Sequence, residues 1–292
     1  MTVPITLFSV IIENMLEKNE NILYFDAHFH LADCVYDGII KDDFPDDIFA
    51  CTCCHSVEEW NLTEEFRNKF GMTVTTEACH AELVSASHNR FRVSYGLHPQ
   101  SAGHIDIEKN AGFLEQLLQH NKLNAIGEAG FDYFNDELKA SASLQEKMFN
   151  LQLDLALQYK IPMVIHCRKA NEKLFEYAGQ LKKLPSVLFH SFMGMPNEAM
   201  SLINRGINAY FSFGKQVMNN NKKVIACVRE LPEETLLTET DAPWQFLKGE
   251  KCTIPSDIKK IFEAFCQIRQ TAPEQLAQTL KNNFYNLFCI KQ

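Results

Sequence analysis

Apolar residues in this chain gather into short continuous runs, separated by stretches where they recur every three or four positions. The runs are Ile22 to Phe25, Ile48 to Cys54, Phe91 to Tyr95, 124–128, 162–165, 186–189, 208–213 and 235–240. Continuous apolar runs of this length read as strands buried on both faces. Between them the spacing turns helical. Ser56 and Glu59 form a capping box for a helix to about Phe70, and 107–120 carries Phe113, Leu114, Leu117 and Leu118 on one face. Ser143 and Glu146 predict the start of a helix with Leu144, Met148, Leu151 and Leu155 in line. Further helical stretches lie near 170–180, 195–205 and 221–230. Thr271 and Glu274 open a late helix, after which Phe284, Leu287 and Phe288 return to the core. Eight strands alternating with helices predict an α/β protein, a single (β/α)8 TIM barrel, with an open doubly wound sheet as the alternative.

Two segments stand outside this alternation. Residues 1–20 read as an N-terminal extension to a barrel spanning 21–292. The connection at 75–90, with His80 and His88, is long for a compact α/β unit and reads as a surface insertion on the face away from the strand ends.

Composition changes the picture only slightly. Of 292 residues, 46% are hydrophobic and 22% charged, ordinary for a globular chain able to bury a large core. The longest apolar stretch, Ile5 to Ile12, is broken by Thr6 and Ser9 and is too short to span a bilayer. Glu13, Glu17 and Glu20 without a basic start argue against a secretory signal. The ten cysteines are scattered, and Cys51, Cys53 and Cys167 sit inside predicted strands, so the expectation is reduced thiols in a cytoplasmic protein. A net charge of −9 argues against a broad basic surface for nucleic acid. It leaves room for a strand held end-on, because bound metal ions supply positive charge locally.

The candidate chemistry lies at the strand ends, where a barrel of this class assembles its site. His28 and His30 are two apart on a strand and project to the same side. His98, Glu128, His166, His190 and Asp241 each end another predicted strand. These groups exceed what one ion needs and suit two divalent ions sharing a carboxylate, with imidazole favouring Zn, Mn, Fe or Ni over an all-oxygen Mg site. Two such ions can lower the pKa of a shared water, and Asp241 could take its proton. Neither a Gly-rich phosphate loop nor Gly-x-Ser-x-Gly occurs. Cys167 points to the opposite face from His166 and reads as a core thiol.

The motifs are Phe25-Asp26-Ala27-His28-Phe29-His30-Leu31, Gly96-Leu97-His98-Pro99 and Gly127-Glu128-Ala129-Gly130-Phe131-Asp132-Tyr133. Ile165-His166-Cys167-Arg168, His190-Ser191-Phe192-Met193-Gly194 and Glu239-Thr240-Asp241-Ala242-Pro243 follow in order. Together they resemble the TatD-type metal-dependent hydrolases, among the amidohydrolase-like metal barrels, over about 22–289. The resemblance implies a (β/α)8 barrel, two divalent metal ions (Mg, Mn or Zn) and, for many members, DNase activity, often from the 3′ end. It implies that His28, His30 and Asp241 bind one ion, His166 and His190 the other, and Glu128 bridges them. His98 and Arg168 would contact substrate, plausibly a phosphate, for which the planar guanidinium of Arg168 is suited.

This chain departs from the family pattern at Lys169, at Asp33 and along Gly249-Glu250-Lys251-Cys252-Thr253-Ile254-Pro255, loop positions of the kind that set specificity. The expectation is a deoxyribonuclease working through Asp241 and Glu128. A hydrolase of a small ester, amide or phosphate is the alternative, and a silent binding barrel the third reading. No membrane or obligate protein partner is expected.

Overall fold

The computed structural model describes residues 22–41, 43–69 and 90–288. The expected extension at 1–20 and nearly all of the expected insertion at 75–90, His80 and His88 included, lie outside them. Eight strands, β1 (Tyr24–Phe29), β2 (Ile48–Cys54), β3 (Phe91–Tyr95), β4 (Ala125–Asp132), β5 (Met163–Arg168), β6 (Val187–Phe189), β7 (Ala209–Phe213) and β8 (Leu236–Thr238), pair in chain order. All neighbours are parallel and β8 returns to β1, closing a barrel and excluding the open sheet. The connecting helices are α1 (Leu31–Tyr36), α2 (Val57–Lys69), α3 (Ile107–Gln119), α4 (Asp136–Ala140), α5 (Ala142–Tyr159), α6 (Asn171–Glu176), α7 (Ala178–Leu181), α8 (Pro196–Asn204), α9 (Lys222–Glu230), α10 (Ile258–Arg269) and α11 (Pro273–Phe288). Because helices cover the outside and side chains fill the inside, strands such as β2 are buried at every position.

The seam between β1 and β8 is held by a buried carboxylate. Asp26 accepts from Thr240 N at 2.9 Å, Thr240 Oγ1 at 2.6 Å and His28 N at 3.2 Å. Burial pushes its carboxyl up to about 7, against the pull of those hydrogen bonds. Two backbone bonds lie just beyond, Asp241 N to His28 O at 2.9 Å and His30 N to Ala242 O at 2.8 Å.

Two expectations need correction. The fourth strand does not end at Glu128 but continues to Asp132, so Glu128 sits mid-strand. Gly127 and Gly130 make that run possible: both have positive φ (146° and 150°), and a Cβ on Gly130 would collide with the His166 carbonyl. The second correction concerns α5. It starts one residue before Ser143, Leu144 is 39% exposed, and Glu146 accepts from Lys173 and Tyr177 instead of capping. The face of α5 turned inward carries Met148, Phe149, Leu153 and Ala156 together with two buried glutamines. Gln152 accepts from Leu97 N at 2.8 Å and donates to Leu97 O at 3.1 Å, while Gln145 does the same for Asp132 at 2.8 and 3.0 Å. A polar side chain thus satisfies backbone groups that the end of β4 and the loop after β3 leave unpaired. These bonds fix the chain on either side of His98 and Glu128.

Candidate metal centre

Six imidazoles surround the Glu128 carboxylate at the mouth of the barrel. Nitrogen-to-oxygen distances are 3.3 Å for His28, 3.5 Å for His30, 3.4 Å for His55, 3.5 Å for His98, 3.0 Å for His166 and 2.6 Å for His190. A carboxylate offers about four lone-pair sites, so hydrogen bonding alone does not account for six rings aimed at it. Around Oε2, His28 Nε2, His30 Nε2 and Asp241 Oδ1 form a triangle with sides of 3.3, 3.2 and 3.4 Å. Donors of one ion at roughly 2.0–2.2 Å sit that far apart. On the Oε1 side, His166 Nδ1 and His190 Nε2 are 3.1 Å apart, and each contacts Glu128. The donor set therefore fits divalent metal.

Several of these side chains have a further polar group behind them, as ligating histidines commonly do. His28 Nδ1 lies 3.2 Å from Cys53 Sγ, which in turn contacts Ser94 Oγ at 2.6 Å. His166 Nε2 meets Asp132 Oδ2 at 3.1 Å, and Gln100 Nε2 donates to the same oxygen at 2.7 Å. His190 Nδ1 faces Glu239 at 3.7 Å, itself bonded by Ser212 Oγ. Asp241 adopts the left-handed region (φ 53°), which Asp tolerates better than most residues, and its Oδ2 accepts from Gln245 Nε2 at 2.6 Å.

Charge follows the packing. Burial works against the Glu128 carboxylate, but His190, His28 and His98 outweigh it and hold the carboxyl well below the usual range. Burial likewise opposes Asp241, which His28 and His30 hold down. His190 is pushed down by burial and lifted by Glu128, ending at about 10. His98 is the exception: burial carries it down to about 3 despite Glu128, so it stays neutral.

Every expected site residue lies at this mouth. His28, His30, Glu128, His166, His190, Asp241 and His98 form overlapping groups of donors, most of them around Glu128, and Arg168 lines the cavity of about 770 Å³ at the same mouth. Arg168 is turned outward, with its guanidinium 3.5 Å from the Phe134 ring centroid. Cys167 packs against the core as expected, but it is only half-buried and also lines the cavity. Burial pushes its thiol up to about 12, so it is no nucleophile.

Sequence reasoning passed over His55, Asp132 and Gln245. His55 carried a usable signal, since it follows the buried run Ile48 to Cys54 as His190 follows its own strand. Asp132 stood inside the quoted motif around Glu128 without a role, and Gln245 gave no signal without the turn after β8.

The family model described as TatD related DNase matches residues 25–289. An uncharacterised metal-dependent hydrolase of Mycoplasma pneumoniae is 27% identical over 274 residues, covering 91% of this chain and 99% of its own. A protein named 3'-5' ssDNA/RNA exonuclease TatD, from Edwardsiella piscicida, is 29% identical over 231 residues, covering 75% and 85%. The crystal structure of YjjV, a TatD homologue from Escherichia coli K12, superposes with a TM-score of 0.75 at 22% identity, covering 91% and 98%, and shares the fold.

Proposed function

The chain belongs to the TatD related DNase family, and from that premise we propose that it is a divalent-metal-dependent phosphodiesterase that shortens single-stranded DNA. The observation that carries the reading is the convergence of imidazoles and carboxylates on Glu128, with the spacing that divalent ions require. His28, His30 and Asp241 would hold one ion, His166 and His190 the other, and Glu128 would lie between them. When bound, such ions supply a water of lowered pKa and positive charge opposite the phosphate.

The remaining work falls to the protein. Arg168, at the cavity wall, pairs with a phosphate oxygen through its planar fork. Neutral His98 turns a ring nitrogen to the same space without competing for the phosphate as a cation. Asp241, ionised at neutral pH, takes the proton of the attacking water, and Gln245 fixes its second oxygen. Trp244 lines the cavity and is 51% exposed, and Phe134 beside Arg168 is 44% exposed; exposed rings at a phosphate-binding mouth suit stacked bases. The Edwardsiella relative named as a 3'-5' exonuclease supports cleavage from the 3′ end. The eight described cysteines are all free thiols, which supports a reducing, cytoplasmic setting, and no described helix is long and apolar enough to cross a membrane.

Purified protein with added Mn should shorten a 3′-exposed single strand, and Asp241→Asn should abolish this. Equal nuclease traces from wild type and Asp241→Asn would refute it. A second reading, hydrolysis of a small phosphate or carboxylic ester, draws on the net charge of −9 and on the loop after Asp241, where Glu250 pairs at 2.6 Å with buried Lys215 and offers substrate no basic segment. Activity on small esters with none on DNA would favour it.

A further inference from the structure

His55 belongs to neither group of ligands described above. It is the first residue beyond β2 and stands at the mouth with Nε2 3.4 Å from Glu128 Oε2, the oxygen that also faces His28 and His30. That nitrogen is buried and makes no hydrogen bond among the described residues. His30, His55 and Glu128 present donor atoms that all lie within 4.8 Å of one another. Neighbouring donors of one ion sit roughly 3.0–3.4 Å apart and opposite ones about 4.3 Å, given bond lengths of about 2.0–2.2 Å, so these three atoms fit around one ion, and His30 also belongs to the group with His28 and Asp241.

A carboxylate also stands behind the ring. Glu59 Oε2 accepts from the His55 backbone amide at 2.7 Å and stands 3.7 Å from His55 Nδ1. Ser56 Oγ accepts from Glu59 N at 3.1 Å, so the first turn of α2 fixes the carboxylate that faces the ring. Only part of the expected capping box forms: the Glu59 side chain takes the amide of His55, not that of Ser56. The result is a carboxylate behind one imidazole nitrogen and an unpartnered second nitrogen aimed at the metal cluster, the arrangement of a ligating histidine.

We propose that His55 is a ligand of the ion held by His28, His30 and Asp241, adding a third imidazole, and that Glu59 positions it. The inference rests on the two-ion reading above. Its chemical consequence is selectivity: a third nitrogen donor favours zinc-class ions over magnesium, which prefers oxygen and retains water.

The test compares ion-free wild type, His55→Asn and Glu59→Gln by titration calorimetry with Zn and separately with Mg, and by visible absorption after Co loading. Thermal melts confirm that each variant is folded. Wild type and both variants should take two Zn per chain, with one Zn step weakened about a hundredfold in His55→Asn and about tenfold in Glu59→Gln. Mg affinity should change by less than about threefold, and the Co band should change intensity in His55→Asn as a donor is lost. Superimposable Zn isotherms and Co spectra for wild type and His55→Asn would overturn the role of His55 while leaving two-ion binding intact. A wild type that takes up no Zn or Co would overturn the two-ion reading as well.

Discussion

Protons and metal ions compete for the same nitrogens here, and the geometry sets the size of the competition. Burial alone would make His190 a weak base, but Glu128 Oε1 at 2.6 Å from Nε2 overrides it, leaving the imidazole at about 10 in ion-free protein. At pH 7 that nitrogen holds a proton that must leave before it can bind an ion. The gap of about three pH units costs ion binding roughly 4 kcal/mol, at about 1.4 kcal/mol per unit. Apparent affinity should therefore rise about tenfold per pH unit from pH 7 to 9 through this group alone. His166 adds to the effect: burial opposes its protonation, but Asp132 and Glu128 raise it overall. Calorimetric titration with Mn, in buffers of different protonation enthalpy, reads the protons released. At least one per chain is expected at pH 7; none, with affinity flat between pH 6.5 and 8.5, would refute the reasoning. With its folded pKa raised, His190 contributes fully to the ion-free fold below about 6.5 and loses that contribution as pH climbs through about 10, so stabilisation by added ion should grow over the same window.

Other outcomes follow from single contacts. Glu128→Gln removes the charge facing every ligand, and a broken buried ionic contact costs roughly 3–5 kcal/mol; metal analysis after dialysis should find less than one ion per chain. Gln152→Ala strands both backbone groups of Leu97, so urea unfolding should show a loss of about 2–4 kcal/mol. Gly130→Ala drives a methyl into the His166 carbonyl and should cost more than about 4 kcal/mol, seen as loss of native circular dichroism at 25 °C. Trp244→Ala should raise KM for a single strand about tenfold, stacking being worth roughly 1–3 kcal/mol per base, while leaving a small aryl phosphate ester unaffected.

The barrel and most of its mouth were legible because they rest on local periodicities. His28 and His30 share a side because a strand repeats every two residues, and in β5 and just after β6 a histidine directly follows the apolar run. What was not legible depends on pairing between distant segments. Glu128 lies mid-strand because two glycines let β4 run on against β5, and no local pattern states where such a strand stops. The face of α5 was misjudged for a related reason. Gln145 and Gln152 are inward-facing because remote backbone needs partners, whereas helical spacing of leucines marks only where apolar side chains recur. His55 was readable by the rule that found His190.

The join between the first strand and the last has a consequence for the chain as it is made. Asp241 reaches His28 and His30 only when β8 docks beside β1 and Asp26 receives Thr240. A ribosome-bound polypeptide of which seven strands have emerged carries His28, His30, Glu128, His166 and His190, yet it has an exposed sheet edge and lacks Asp241. Hydrolytic competence thus arrives with the final strand, so the metal centre is completed only when most of the chain has been made.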